Sequence, residues 1–197
     1  AIGYEALQSE TSGQDTVAIG YRALQSANGA FFTRTVAIGK DAGKSVTNSS
    51  GNVFVGAECM PVGNGGNNVI IGQRAAYAAP KSNSVVIGKE ASSTSIGGGS
   101  EVIIGYQAGR SNANSGHISI GYQAGYSQTS GAKNTNIGYR AGYDQTTGFN
   151  NTTLGYEAGK SLSTGDRNVL IGSDAGINIT DGQRNIVIGD DAGDAIT

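Results

Sequence analysis

The stretch from Val102 to Gly109, VIIGYQAG, recurs in near-copies from one end of the chain to the other. Successive copies are 16 or 17 residues apart, with a single gap of 19. This period is too short for a helical-hairpin repeat and lies below the usual leucine-rich length, so each copy is predicted to form one coil of an all-β parallel β-solenoid or β-roll. The glycine after the strand, called position 0, stands at Gly3, Gly20, Gly39, Gly56, Gly72, Gly88, Gly105, Gly121, Gly138, Gly155, Gly172 and Gly189.

Residues 1–197 are therefore predicted to form a single repeat array of about twelve coils. The array begins inside one copy of the motif and ends shortly after another, which predicts that it is a piece of a longer protein. With about 4.8 Å per coil, the rod is expected to be about 55 Å long.

The residues before position 0 show the period of two that is typical of a β-strand. Positions −3 and −1 carry the most uniform β-branched side chains, as in Val102 and Ile104. We therefore predict that these two positions face the interior of the coil and stack on their equivalents in the next coil.

Position −2, which then faces outward, is apolar in eight of the eleven copies from Gly20 onward. An apolar outer row predicts that another copy of the chain covers the sheet, while single tolerated surface side chains are the alternative. On this assignment Ile103→Asp breaks association and Ile104→Asp unfolds the coil. The predicted oligomer interface consists of Phe54, Ile70, Val86, Ile103, Leu170 and Val187.

The residues after position 0 predict a tight corner, and the eleven glycines from Gly20 to Gly189 are predicted to be its structural turns. Position +3 is Ala in eleven of twelve copies, which fits a corner with room only for a small side chain. A second glycine at +4 in many copies allows positive φ, and the polar residue at +2 is expected to face solvent. The Tyr found at +1 in six copies is expected to stack along the rod, with glycan binding as the alternative.

The second half of each copy is predicted to form a short polar strand. Asn then recurs at −4, where it either forms an amide ladder from coil to coil or occupies a turn. The members of this row are Asn52, Asn68, Asn134, Asn151, Asn168 and Asn185.

Composition excludes several classes of function. The net charge is −2 and basic residues are scattered, which disfavours a nucleic-acid partner. The sequence has neither an 18-residue apolar run nor a signal peptide at its start, so membrane insertion is not expected. Cys59 is the only cysteine and stands where other copies have Ala, which indicates a small buried residue.

The sequence predicts no enzyme, no cofactor and no metal site. The segments that begin at Gly39 and Gly155 have one residue too few between their glycines for a phosphate-binding loop. His117 is the sole histidine and is expected to be a turn residue, or a member of a three-fold cluster if three chains meet. The carboxylates at +2 form one column in which no two stand out as a hydrolytic pair, and the aspartates near the end, at 190, 191 and 194, lack a calcium-repeat pattern.

The longest copy contains the most unusual residues of the array. Phe31, Phe32 and Arg34 place adjacent aromatic rings beside a cation where other copies have small polar residues. Because loops on a rigid scaffold often carry function, these residues are a predicted contact for a glycan or protein receptor. The alternative is that one Phe caps the core and the other packs on a neighbouring coil.

The runs TVAIGYRAL at 16–24 and RTVAIG at 34–39 resemble the AIGYxAL repeats of phage tail-fibre proteins. They are also similar to the SVAIG repeats in the head of trimeric autotransporter adhesins, which form a parallel β-roll with three packed chains. Both resemblances cover the whole chain and imply a homotrimer. The repeat length and the Tyr after the glycine favour the fibre type.

Together these features predict a structural and receptor-binding segment of a trimeric viral tail fibre, without enzymatic activity. The expected partners are two further copies of the chain and a cell-surface glycan or protein receptor. The expected location is a virion tail fibre or an extracellular surface. The alternatives are the head of a bacterial surface adhesin that binds host matrix or glycan, and a polysaccharide-cleaving tailspike.

Overall fold

The structure, a computed structural model, describes residues 1–11, 13–29, 33–78, 81–95, 97–112 and 114–195. In these residues the chain is all-β and forms a parallel β-solenoid with a repeat of about 17 residues, as predicted. Each strand covers positions −3 to −1. The eleven strands are β1 (Val17–Ile19), β2 (Val36–Ile38), β3 (Val53–Val55), β4 (Val69–Ile71), β5 (Val85–Ile87), β6 (Val102–Ile104), β7 (Ile118–Ile120), β8 (Thr135–Ile137), β9 (Thr152–Leu154), β10 (Val169–Ile171) and β11 (Ile186–Ile188).

The strands form one sheet in sequence order, and every neighbouring pair is parallel and in register. Equivalent positions therefore stack on each other, for example Ile103 between Val86 and Ser119. The first copy of the motif extends the sheet by an isolated bridge between Ile2 and Ile19.

The predicted orientation of the strand is wrong by one residue. In all eleven strands the middle residue, at −2, is buried, while positions −3 and −1 are half-buried or exposed. The uniform β-branched side chains lie on the outer surface of the sheet, where a pleated strand also favours them. The row predicted as an oligomer interface, Phe54, Ile70, Val86, Ile103, Leu170 and Val187, is instead the core of the solenoid.

The corner after each strand follows the prediction closely. The position 0 glycines have φ between 130° and 141°, a backbone conformation that residues with a Cβ rarely adopt. A Cβ at Gly105 would run into the carbonyl oxygen of Gly121, because equivalent corners stack directly on each other. Position +3 is buried in all copies except the first and the last, and position +2 has a positive φ in every copy, as at Gln107.

The second half of the coil differs from the predicted polar strand. In the described residues it consists of turns and bends with isolated bridges, such as Ser45 with Val62. Backbone hydrogen bonds still join the coils there, as from the Thr129 N–H to the Thr146 carbonyl oxygen at 2.9 Å.

The Asn row at −4 forms the amide ladder that was one of its two predicted roles. The Asn68 Nδ2 donates to Asn52 Oδ1 at 3.0 Å, and the Asn168 Nδ2 donates to Asn151 Oδ1 at 3.1 Å. The same acceptor oxygens receive the next backbone N–H, as from Asn168 to Asn151 at 2.9 Å. These side chains point inward, which places −4 and −2 on the same face of the strand.

The core changes character along the rod. One apolar cluster extends from Ala18 to Ala108, and a second extends from Leu162 to Val187. Between them the −2 row consists of Ser119, Asn136 and Thr153, with Gln128 and Gln145 facing it from position +7. Glutamine and asparagine thus replace aliphatic side chains without a change in backbone register.

Candidate functional site: the outer sheet face and its aromatic edge

The outer face of the sheet is formed by two columns of side chains at −3 and −1. Twenty of these twenty-two residues are Val, Ile or Leu, and the two exceptions are Thr135 and Thr152. None carries a charge. We call this surface the outer apolar face.

The side chains of the outer apolar face shield one another along the rod. In the middle strands they are half-buried by their neighbours above and below, as for Val102 and Ile104. At the last strand this shielding ends, and Ile186 is 75% exposed and Ile188 64% exposed. The ridges of aliphatic side chains lack a covering element among the described residues, whereas most apolar patches on monomers are smaller and discontinuous.

An aromatic column lies next to this face, one residue beyond each turn glycine. Tyr106, Tyr122, Tyr139 and Tyr156 stack in sequence, with ring centroids 5.4, 5.1 and 5.1 Å apart. Their interplanar angles fall from 22° to 6°, so the rings are nearly parallel. The predicted stacking along the rod is confirmed, and the rings remain about half exposed at their outer edges.

The polar residues at +2 form a hydrogen-bonded ladder. Gln107 Nε2 donates to Glu90 Oε2 at 2.8 Å, and Gln123 Nε2 donates to Gln107 Oε1 at 2.9 Å. Nearer the start of the chain, Arg22 and Asp41 form a salt bridge in which Arg22 Nε is 2.9 Å from Asp41 Oδ1. The prediction that +2 faces solvent is wrong for Asp41 and Gln123, which are buried by these ladder contacts.

The predicted receptor contact lies largely outside the described residues. Phe31 and Phe32 are not among them. Arg34 is described, is exposed, and has a positive φ of 53° like its equivalents at position −5. Its backbone N–H donates to the Gln14 carbonyl oxygen at 3.0 Å, which joins two coils.

The sole cysteine and histidine are both buried inside the coil. Burial raises the pKa of the Cys59 thiol to about 12, and Cys59 Sγ contacts the Gly56 carbonyl oxygen at 3.1 Å. His117 belongs to the inward −4 row, and burial lowers its pKa to about 4. A three-fold histidine cluster between chains is therefore wrong, because this ring does not reach the surface.

A buried polar cluster that the sequence analysis missed lies between β5 and β6. The Lys81 Nζ is 2.9 Å from Glu101 Oε2, and both side chains are fully buried. Lys81 also donates to Ser95 Oγ at 2.9 Å and to the Gly97 carbonyl oxygen at 2.6 Å. The other Glu101 oxygen accepts from Asn112 Nδ2 at 3.0 Å.

This cluster could have been found from the −4 row. Glu101 is the only acid in that row, where other copies have Asn, Ser, Thr or His. The signal was missed because Lys81 follows a degenerate copy and is not one repeat away from its partner.

Other features of the described surface are modest. Two shallow pockets of about 330 and 320 Å³ border Tyr77, one beside Asp41 and Glu58 and the other beside Arg74 and Arg110. Within the described ranges no group of three or more His, Cys, Asp or Glu side chains is placed to hold a metal ion. At the last coil, the carboxylates of Asp190 and then Asp194 raise the pKa of Asp191. The described part of the chain has no helix long and apolar enough to cross a membrane.

The chain matches no protein-family model, no curated protein and no solved structure.

Proposed function

We propose that this chain is a rigid, self-associating segment of a surface fibre, of the kind found in phage tail fibres. The outer apolar face carries this proposal, because two uncharged and mainly aliphatic columns run along the whole sheet. Covering such a surface contributes about 25 cal/mol per Å² of apolar area removed from water. A second and a third copy of the chain present the same length and period, so they match this face coil for coil.

The corrected strand orientation moves the interface from the −2 row to the −3 and −1 rows. Three solenoids packed through these rows place their aromatic columns and turn residues on the outside of a trimer. Receptor contacts repeated three times at fixed spacing gain avidity from their common scaffold. In this proposal Arg34 and the exposed edges of the Tyr106 to Tyr156 stack are the contact residues, and the chain itself performs no catalysis.

A bacterial adhesin head is the second candidate, and the same outer apolar face supports it. Exposed tyrosine edges beside Arg140, whose guanidinium lies 5.7 Å from the Tyr139 ring centroid, suit a glycan ligand. A glycan-array experiment with the purified chain separates a glycan receptor from a protein receptor.

Light scattering of the purified chain tests the association. We expect three times the chain mass of 19.9 kDa. Ile104→Asp, on the outer face, is expected to give a folded monomer, because it places a charge in the interface but leaves the core intact. Ile103→Asp, one residue away, is expected to unfold the coil, because Ile103 is fully buried.

Ser82→Asp is the matched control, since it adds the same charge at an exposed turn residue and is expected to leave the trimer unchanged. A monomeric wild-type chain would overturn the proposed association. An Ile104→Asp trimer would show that another surface forms the contact.

A further inference from the structure

The coil does not need the buried Lys81–Glu101 pair for its stability. Burying two charges costs several kcal/mol per ion, and such a pair is often no more stabilising than apolar residues of similar size. In the neighbouring coils the equivalent of Glu101 is Ser84 or His117, and the sheet register is unchanged. A lysine and an acid at this place therefore suggest chemistry in addition to packing.

Three oxygen atoms surround Lys81 Nζ, and the carboxylate of Glu101 among them can take up one of its protons. Burial lowers the pKa of Lys81 and raises the pKa of Glu101, so both side chains are driven toward their uncharged forms. Two N–H groups donate to Ser95 Oγ and the Gly97 carbonyl oxygen, and transfer of the third proton to Glu101 Oε2, 2.9 Å from Nζ, leaves an amine with a free electron pair. A desolvated lysine amine with a free electron pair is a nucleophile.

An electrophile lies on the other side of the same carboxyl group. Glu101 Oε1 accepts from Asn112 Nδ2 at 3.0 Å, and Asn112 is fully buried. Its Oδ1 is buried without a hydrogen-bond partner among the described residues, so the side-chain amide is held only from its nitrogen end. Ser95 Oγ accepts from Lys81 Nζ and donates to the backbone carbonyl oxygen of Asn112, which links the two residues through one hydroxyl group.

We propose that Lys81 and Asn112 become joined by an intramolecular isopeptide bond, with Glu101 as the residue that transfers the protons. Glu101 takes one proton from the Lys81 ammonium group, and Nζ attacks Cγ of Asn112. The Nζ–Cγ bond forms and the Cγ–Nδ2 bond breaks, while a second Nζ proton passes through Glu101 to the departing nitrogen. Glu101 also passes the first proton to this nitrogen. The former Nδ2 therefore leaves as ammonium, and the Glu101 carboxylate is restored. The reaction needs no oxidant or cofactor.

The bond would link two coils covalently. Lys81 precedes β5 and Asn112 follows β6, so the new amide would bridge the two coils that contain these strands. Elsewhere the coils are joined by hydrogen bonds and packing. A covalent tie at this place prevents local unwinding of a rod under tension.

The intact mass of the purified folded chain tests this proposal. We expect the wild-type mass to be lower than the sequence mass by one ammonia, and a proteolytic digest to contain a branched peptide that joins Lys81 to Asn112. Lys81→Met and Glu101→Gln are expected to retain the full mass for their sequences. Lys89→Met, at an exposed lysine, is the matched control and is expected to keep the deficit.

Two outcomes would overturn the proposal. One is a folded wild-type chain that keeps its full sequence mass after prolonged incubation. The other is a mass deficit that persists in Lys81→Met or maps to a different asparagine, which would indicate succinimide formation. Because the wild-type mass is decisive by itself, the proposal stays testable even if the variants fail to fold.

Discussion

The coils around Phe54 and the coils around Asn136 have the same backbone but opposite cores. The first belong to an apolar cluster in which aliphatic side chains, a phenylalanine and several alanines fill the interior. The second contain a polar network, in which Thr153 Oγ1 donates to Asn136 Oδ1 at 2.8 Å and Asn136 Nδ2 donates to Gln145 Oε1 at 3.2 Å. Register and turn conformation remain the same in both regions, and the outer face differs only by Thr135 and Thr152 in the polar region.

This comparison separates what shapes the coil from what fills it. The turn glycines, the positive-φ residues at +2 and −5 and the stacked backbone hydrogen bonds occur in both regions. Hydrogen bonds between core side chains can therefore replace part of the apolar packing, even though Ser119 Oγ, Gln128 Oε1 and Gln145 Nε2 have no hydrogen-bond partner in the described residues. The backbone framework is expected to be equally intolerant of change in both regions.

The largest effect is expected at the framework glycines. Gly88→Ala lies in the apolar region and Gly138→Ala in the polar region, and in each a Cβ would run into the carbonyl oxygen of the next glycine in the stack. With φ at 136° in both, the added strain and overlap are expected to lower the free energy of unfolding by about 4 kcal/mol or more. Chemical denaturation monitored by circular dichroism measures the loss.

Gly189→Ala is the control for this pair. Gly189 has a φ of 132°, but among the described residues its Cβ would meet only the Ala192 Cβ, at 3.5 Å. Gly189→Ala is therefore expected to lower the free energy of unfolding by the backbone strain alone, about 1 to 2 kcal/mol. A clearly smaller loss at Gly138 than at Gly88 would mean that the polar coils do not share the framework.

The backbone framework could be predicted from the sequence because its turns require a residue type, glycine, that no other residue can replace there. Only glycine tolerates φ near 135° beside a stacked carbonyl, so Gly105 and its equivalents mark the turn in every copy. The strand lies next to that turn, and the period of two follows from the alternation of its side chains. These features locate β1 to β11 without any knowledge of packing.

The orientation of the strand could not be obtained from apolar character alone. Ile103 and Ile104 are equally hydrophobic, and the more uniform row was assigned to the core although it forms the outer face. Two signals pointed the other way. Positions −4 and −2 lie on the same face of the strand, so an Asn ladder that points inward at −4 places −2 in the core. The −2 side chains also vary in size and polarity from coil to coil, as core side chains do when each fits its own surroundings.

A second, intermediate effect is expected from pH, at the boundary between the two regions. Burial lowers the pKa of His117 to about 4 from its ordinary value of 6.5, so below pH 6.5 the unfolded chain binds a proton that the folded chain does not. The contribution of His117 to the free energy of unfolding is fully present above pH 6.5. It decreases by about 3 kcal/mol as the pH falls to 4. Denaturation midpoints across this range measure the loss.

His117→Asn is the matched variant, because it places in this coil the residue that forms the ladder at Asn134 and Asn151. The carboxylates elsewhere contribute equally to both proteins, so the difference between them isolates the histidine. Parallel pH profiles for wild type and His117→Asn would contradict the buried neutral imidazole.

The smallest effects are expected inside the polar network, where two hydroxyl groups differ in their partners. Thr153 Oγ1 has a hydrogen bond to Asn136 Oδ1, so Thr153→Ala is expected to cost about 1 to 2 kcal/mol by leaving a buried acceptor with one bond fewer. Ser119 Oγ is buried with no hydrogen-bond partner in the described residues, so Ser119→Ala is expected to change stability by less than about 0.5 kcal/mol or to raise it. Urea titration of both variants distinguishes them. Equal losses of stability would mean that the Ser119 hydroxyl group has a hydrogen-bond partner, such as a bound water. The polar core would then be hydrogen-bonded as completely as the apolar core is packed.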